Sequence, residues 1–500
     1  MENLPIILAI APFVVFIFLL LVKKTPLFKT SIITLLIYTA LIVFYWKIVP
    51  SYLYISYAKG FFIALDIFII IFGAVFFLEI LRDLKIIKNI SYYLSTFSRD
   101  YRVQVILIAW FFENFLEGTA GFGTAAAIAV PLLMALGLPV IKSLVIGLLG
   151  NSTSGAFGAA GTPIRVGLAG LNITSVPLTT ALINTVGFIV PVFMLWIITR
   201  GRKNKKKEFL EMLPFAIWAG IAFVIPSVLT VFLGQEFPSI LGAIIGFILI
   251  AITTKLGIFI PKKPLTLVDP EKKKNTISIF KTFLPYLLFI ALLILGKIFI
   301  GKTGIILNIG YKEVFPLFNP GFLFIITGLI IIPIWKASRK TIKKSSKIAL
   351  KSSILPFLVI ISMSAIVQLM INSEFNTSGL PSAMILIAKG LESTLLPFFA
   401  PFIGAFGSFV TGSVTVSNIM FGNFFNTAAM SFGFNQTIIL SLGVVGAAAG
   451  NMIALADILA AEAVTGVKNS ERQILKGVFI PCLTYLILTG IVGIIVIKLF

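Results

Sequence analysis

The chain has 500 residues, 59% hydrophobic and only 12% charged, with a mean hydropathy of +1.09 and a formal charge of +22. Soluble domains carry about 25% charged residues, so a soluble globular protein is excluded. Apolar runs of roughly 20 residues without alternation exclude a β-rich protein as well. There is no histidine, which removes the commonest proton shuttle and metal ligand, and a single cysteine allows no intrachain disulfide.

In chain order, the first apolar run, Pro5 to Val22, lacks a basic leading segment and a small-residue cleavage site. It reads as a retained span rather than a signal peptide. Lys23 to Lys29 follow, then spans 30–47 and 60–80. Asp66 lies one turn into the latter, either as a functional group or as a near-surface partner of Lys59; Glu79 lies near its end, where snorkelling suffices. Arg82 to Arg102 form the next basic cluster. Together with Arg200 to Lys207, Lys262 to Lys281, Lys336 to Lys351 and Lys468 to Lys476, these clusters hold about 30 of the 40 basic residues. The positive-inside rule assigns them to the cytoplasm and puts the N-terminus outside. The charge is therefore an orientation signal, with no nucleic-acid partner implied.

Segment 103–137 is also apolar, and loop parity decides its path. Were it to cross, RGRKNKKK at 200–207 would fall outside; if it enters and returns, every later basic loop stays inside. A re-entrant hairpin with GTAGFG at its tip is expected, tolerated only where protein or a water-filled cavity surrounds it. Glu113 and Glu117 stand four apart on one face beside that tip. A charge at the centre of a spanning helix costs about 2.5–3.5 kcal/mol, so this pair is a candidate to carry a proton; the plainer reading is a structural hydrogen bond.

Span 139–166 begins near Lys142, a snorkelling position, and is interrupted by GNSTSGAFGAAGTPI at 150–164. Arg165 at its end could clamp a carboxylate through two parallel hydrogen bonds, or serve as a cytoplasmic anchor. Spans 177–199, 210–233, 237–260, 281–300, 320–336 and 353–371 follow. Segment 394–430 forms a second hairpin by the same parity, entering from outside with VTGSVTVSN at its tip. Span 436–464 is interrupted by GAAAGN at 446–451; Asp457 follows the restart as a third proton candidate and Glu462 lies near the end. Span 475–499 contains Cys482.

The expected fold is an all-α polytopic membrane protein with about twelve spans and two opposed re-entrant hairpins. Residues 1–208 and 261–500 match in element order but with opposite orientation, with 209–260 as a connector. An inverted repeat with interrupted segments in corresponding places is the pattern of a secondary transporter, its site where the interruptions meet. Thr124, Thr415 and Asn451 can cap restarting helices, and Thr162-Pro163 is a cap followed by proline at the first helical position. Four half-helix N-termini would then converge, suited to an anion such as a carboxylate. Asn151, Ser152, Thr153, Thr411, Ser413, Thr415, Ser417 and Asn418 offer hydrogen bonds to it. Ala156, Ala159 and Ala447 to Ala449 read equally well as close helix packing.

At FLEGTAGFGT, NSTSGAFGAAGTPI, GSFVTGSVTVSNIMF and AGNMI the chain resembles the lactate permease family of the ion-transporter superfamily, over most of its length and in the family's order. The resemblance implies proton-coupled symport of small 2-hydroxy monocarboxylates such as lactate and glycolate across the plasma membrane, without a cofactor or metal. It also implies a cavity built from Gly118, Thr119, Gly121, Gly123 and Thr124, from Asn151 to Thr153, from Thr411 to Asn418 and from Asn451. Superfamily relatives often form dimers in which a transport domain moves against a scaffold. Two departures bear on substrate and coupling ion: Val414 stands where the family usually has a polar or acidic residue, and Asn451 where a lysine is common.

Three competing functions follow. The Asn151-Ser152-Thr153 and Ser417-Asn418 turns resemble oxygen-rich sodium sites, which would make this a sodium-coupled carboxylate transporter. An uncoupled anion channel or exchanger would need no driving ion. A membrane enzyme acting on lipids would need aspartate-rich, His or Ser–His constellations that the chain lacks.

Overall fold

A computed structural model of the protein describes residues 4–23, 25–121, 124–261, 263–267, 277–301, 303–390, 394–467 and 470–499. Among these residues nine helices are long and apolar enough to cross a membrane, and each coincides with one of the expected spans. A tenth span is the bent pair Val140–Gly150 and Ser154–Arg165, which meet at 47°. The remaining two expected spans, Leu4–Leu20 and Pro320–Ile334, are apolar but shorter. The protein is thus all-α and multi-pass.

Helices Pro50–Asp83 and Arg339–Asn372 have 34 residues each, well beyond the apolar cores at 60–80 and 353–371. At 1.5 Å per residue each is about 50 Å long, against a hydrocarbon layer of about 30 Å. Their polar ends simply continue the helix into the interfaces. Three elements carry too weak an apolar signal to be expected from sequence: the short helices Ile86–Thr96 and Ala383–Gly390, and a two-stranded antiparallel β-hairpin, Gly304–Asn308 with Lys312–Pro316.

Elements from the two parts of the chain pack on one another. Pro50–Asp83 and Arg339–Asn372 run alongside one another; Pro320–Ile334 packs on the first and Leu27–Leu41 on the second. At their crossing Gly60 lies against the backbone of Ala365, and Asn372 donates from Nδ2 to Ser56 Oγ at 2.9 Å. Val140–Gly150 touches Glu471–Leu499, while Gln436–Gly450 touches Val176–Ile183. Lys205–Thr230 and Pro238–Lys255 pair with each other, and the latter also packs on Glu113–Thr119.

The first hairpin rises through Tyr101–Ile106, a π-helical stretch Leu107–Phe112 and Glu113–Thr119, then descends through Thr124–Ala135. Its base is held by a buried ion pair: Asp100 caps the helix by accepting from the Arg102 amide, and its Oδ2 takes Arg102 Nη2 at 2.7 Å. The second hairpin comprises Leu396–Thr411 and Val414–Phe432, joined through left-handed Gly412. Its first leg seats on Gln436–Gly450 at van der Waals distance. Gly404 lies on the Gly443 carbonyl, Gly446 on that of Pro401 and Gly450 on that of Ala405.

Candidate functional site

The interruptions converge. Gly121, at φ 62° just past the first hairpin's rising leg, faces Ala159 in the first broken span. Gly412, at φ 69°, faces Ala456 in the second broken span, and Val414 comes within contact of Gly155. The first broken span turns through three consecutive left-handed residues, Ala159, Ala160 and Gly161, with φ 41°, 51° and 76°. Left-handed backbone costs an L-residue roughly 1–2 kcal/mol. Two strained alanines in sequence are therefore maintained by their surroundings, which is common where backbone geometry serves function.

A small cavity of about 20 Å³ lies at this convergence. Glu117, Gly121, Ser413, Thr415 and Asn451 line it, all five of them among the candidates read from sequence. Gly155, Gly158, Ala159, Pro163, Gly412 and Val414 complete the wall. Ala159, ambiguous in sequence as a packing residue, is part of this wall. The cavity walls are thus drawn from both hairpins and both broken spans.

Other candidates lie around this cavity rather than in it, with hydroxyls engaged by the backbone. Thr119 donates to the Phe115 carbonyl at 3.0 Å, Ser152 to Leu149 at 2.7 Å, Thr411 to Gly407 at 2.8 Å and Ser417 to Gly404 at 2.8 Å. Asn418 donates from Nδ2 to the Pro163 carbonyl at 2.9 Å, tying the second hairpin to the first broken span. Gly118 abuts Ser239 and Ile240 of the connector. Gly123 and the side chain of Thr124 lie outside the described residues.

The helix starts differ from expectation. Ser413, not Thr415, caps Val414–Phe432, accepting from the Val416 amide. Asn451 opens a short 3-10 turn, and the helix proper restarts at Leu455 without a side-chain cap. After the left-handed run only one turn remains before Arg165, and Thr162 donates to the Ala159 carbonyl instead of accepting. The picture of four equivalent half-helix N-termini is therefore replaced by one well-capped start, at Ser413, among the ends whose caps are described. The reason is local: serine and threonine within a tight turn find a carbonyl one turn back as readily as an amide ahead.

The carboxylates come together. Glu113, Glu117 and Asp457 are buried at 0%, 3% and 5% exposure and close enough to interact electrostatically. Glu113 rests on Gly150, and a methyl at 158 would stand 2.8 Å from Oε1 of Glu117. Both glutamates thus fit only because the broken span presents glycine to them. Both oxygens of Glu113, Oε2 of Glu117, Oδ2 of Asp457, Oδ1 of Asn451 and both polar atoms of Asn151 have no hydrogen-bond partner among the described residues. So do both polar atoms of Asn114, which the sequence reading missed although it sits between the two glutamates. Buried polar groups are almost always satisfied, so a cluster of open ones points to water, protons or a polar ligand.

Two further residues escaped the sequence reading. Asn184 donates from Nδ2 to the Thr153 carbonyl at 2.8 Å, and Tyr485 donates its hydroxyl to Asn184 Oδ1 at 2.7 Å. The first break is thereby fastened to the last helix of the chain. Arg165 is not at the inner cavity. It pairs with Asp66 at 3.1 Å and faces an outer cavity shared with Gln235, Glu236 and Lys297. Gln235 follows a helix that begins at Lys205, about 40 Å away at 1.5 Å per residue. Arg165 therefore lies at the end of the molecule opposite the 200–207 basic cluster, not beside it as an anchor among the basic loops would.

Polytopic helices, paired helical hairpins and a polar cavity at broken spans define a multi-pass membrane protein of the permease kind. The L-lactate permease family model matches residues 5–308 and 300–500, and the chain belongs to that family. It is 27% identical to the L-lactate permease of Halalkalibacterium halodurans over 76% of this chain and 75% of the relative. It is 26% identical to the L-lactate permease of Escherichia coli over 97% and 94%, and 24% identical to that organism's glycolate permease GlcA over 95% and 92%.

Proposed function

We propose that the protein is a secondary transporter of small 2-hydroxy monocarboxylates, lactate and glycolate, which it moves by symport with a proton across the plasma membrane. The two halves are an inverted repeat, and the substrate sits in the cavity between hairpin tips and broken spans. The contact between Pro50–Asp83 and Arg339–Asn372 is compatible with the repeat, and the relatives named lactate and glycolate permeases support the substrate class. The carrying observation is Glu117: a buried carboxyl in the cavity wall with an oxygen that no described residue engages. Ser413, Thr415 and Asn451 supply neutral hydrogen-bonding groups to the substrate, and Glu117 holds the coupled proton. Glu113 and Asp457 relay protons behind it.

In proteoliposomes, an inward proton gradient should drive accumulation of labelled L-lactate or glycolate above the level reached with the gradient collapsed. No stimulation with any 2-hydroxy acid would defeat proton coupling, and dependence on sodium when choline replaces it would favour sodium coupling instead. Glu117→Gln should abolish proton-driven accumulation while sparing exchange of internal for external substrate. Equal loss of both would remove the coupling role.

A further inference from the structure

The outer cavity has a volume of about 580 Å³ and lies at the end of the molecule opposite the 200–207 basic cluster. Its walls carry two cations, Arg165 and Lys297, and three carboxylates, Asp66, Glu236 and Glu313. Lys297 is bound to Glu236. Arg165 is only half engaged: Nη1 meets Asp66 Oδ2 at 3.1 Å, while Nε and Nη2, both buried at the cavity wall and so reached by an anion only after the side chain turns outward, have no partner among the described residues. Those two nitrogens form one edge of the planar guanidinium, the edge that accepts a carboxylate in two parallel hydrogen bonds.

Asp66, in contrast, is fixed. Its Oδ1 takes Asn319 Nδ2 at 2.6 Å and its carbonyl takes the same group at 3.1 Å. Asn319 is itself locked as the cap of Pro320–Ile334, accepting from the Gly321 amide at 2.7 Å. Arg165 is thus the free member of the pair. It also stands two residues beyond Pro163, which lines the inner cavity. A single helical turn connects the two chambers.

We propose that the outer cavity is an entry subsite for monocarboxylate anions. The Nε–Nη2 edge of Arg165 binds the carboxylate, and Asp66 competes with the incoming anion for the guanidinium. The proposal rests on the transport reading above. It assigns Arg165 to capture of the substrate before it reaches the inner cavity.

The test is initial-rate uptake of L-lactate by wild type and by Arg165→Gln, Arg165→Lys and Asp66→Asn. Arg165→Gln should raise KM about 10-fold, the loss expected for hydrogen bonds to a charged group, with a smaller change in maximal rate. Arg165→Lys should raise KM less, since it keeps the charge and gives up the fork. Asp66→Asn should shift KM the other way, because it frees Arg165 from its competitor. A KM that stays constant in all three, or that rises in both Arg165→Gln and Asp66→Asn, would make the pair purely structural and overturn the subsite. If Asp66→Asn fails to fold, Arg165→Lys decides: it leaves the ion pair possible, so an unchanged KM overturns the proposal. If wild type shows no saturable uptake, the transport reading fails separately, and equilibrium binding of L-lactate to wild type against Arg165→Gln then decides the subsite, equal binding overturning it.

Discussion

Val414 is an apolar residue in a cavity wall that also carries hydroxyls, an amide and a carboxyl. Its Cγ2 reaches toward Gly155, and Ala159 and Pro163 lie on the same wall, so one side of the chamber is built for a hydrocarbon group. If this cavity holds the substrate as proposed, one with a methyl at C2 gains from that side, whereas one with hydrogen there leaves it unfilled. A methyl in an apolar pocket is worth about 1–3 kcal/mol, or 10-fold and more in selectivity. Val414→Ser should therefore move the ratio of kcat/KM values toward glycolate and away from lactate by roughly 10-fold; competition uptake with both labelled acids measures it. An unchanged ratio would show that Val414 does not touch the substrate. At this scale the sequence was informative about Glu117, Ser413, Thr415 and Asn451, because polar groups in an apolar setting announce themselves. It was silent on Arg165 with Asp66 and on Tyr485 with Asn184, since each pair joins distant segments. Tyr485 and Asn184 are 301 residues apart, and no local pattern records such a contact.

The interrupted elements depend on glycine for approach as much as for bending. Along the second hairpin and the second broken span, Gly404, Gly446 and Gly450 each face a backbone carbonyl with no room for a side chain. In a bilayer, association between helices rests on such contacts because lipid competes equally for apolar side chains. Gly446→Ala should lower stability by about 1–3 kcal/mol through overpacking, seen as a lower unfolding temperature of the detergent-solubilised protein. A variant that melts with wild type would mean that the two helices can separate freely at this point. The hairpins themselves were legible from loop charge: only re-entry at 103–137 keeps the 200–207 cluster on the side of its neighbours. Their caps were not, because Ser413 and Thr415 are chemically equivalent as caps and the choice between them is made by backbone angles at Gly412. The left-handed turn at Ala159 and Ala160 was invisible for a similar reason. Alanine is the strongest helix former, and only the packing of Gly121 and the connector against it forces that backbone.

Across the whole molecule, element order suggested two related halves, and the contact between Pro50–Asp83 and Arg339–Asn372 is compatible with the repeat we propose. The β-hairpin at Gly304–Pro316 was not readable, for its exposed and half-buried positions do not alternate regularly and no apolar face marks it. That small sheet nonetheless supplies a fixed landmark on one rim of the protein. Lys312 is exposed at its turn, Lys206 is exposed at the opposite rim, and the native Cys482 is buried. A cysteine at Lys312 should react with a membrane-impermeant maleimide on intact cells, and one at Lys206 only after the cells are opened; the reverse pattern would invert the orientation derived from charge. The hairpin therefore works as a compass needle for the molecule: one chemical label on it tells which chamber meets the medium and which end of the path meets the cell interior.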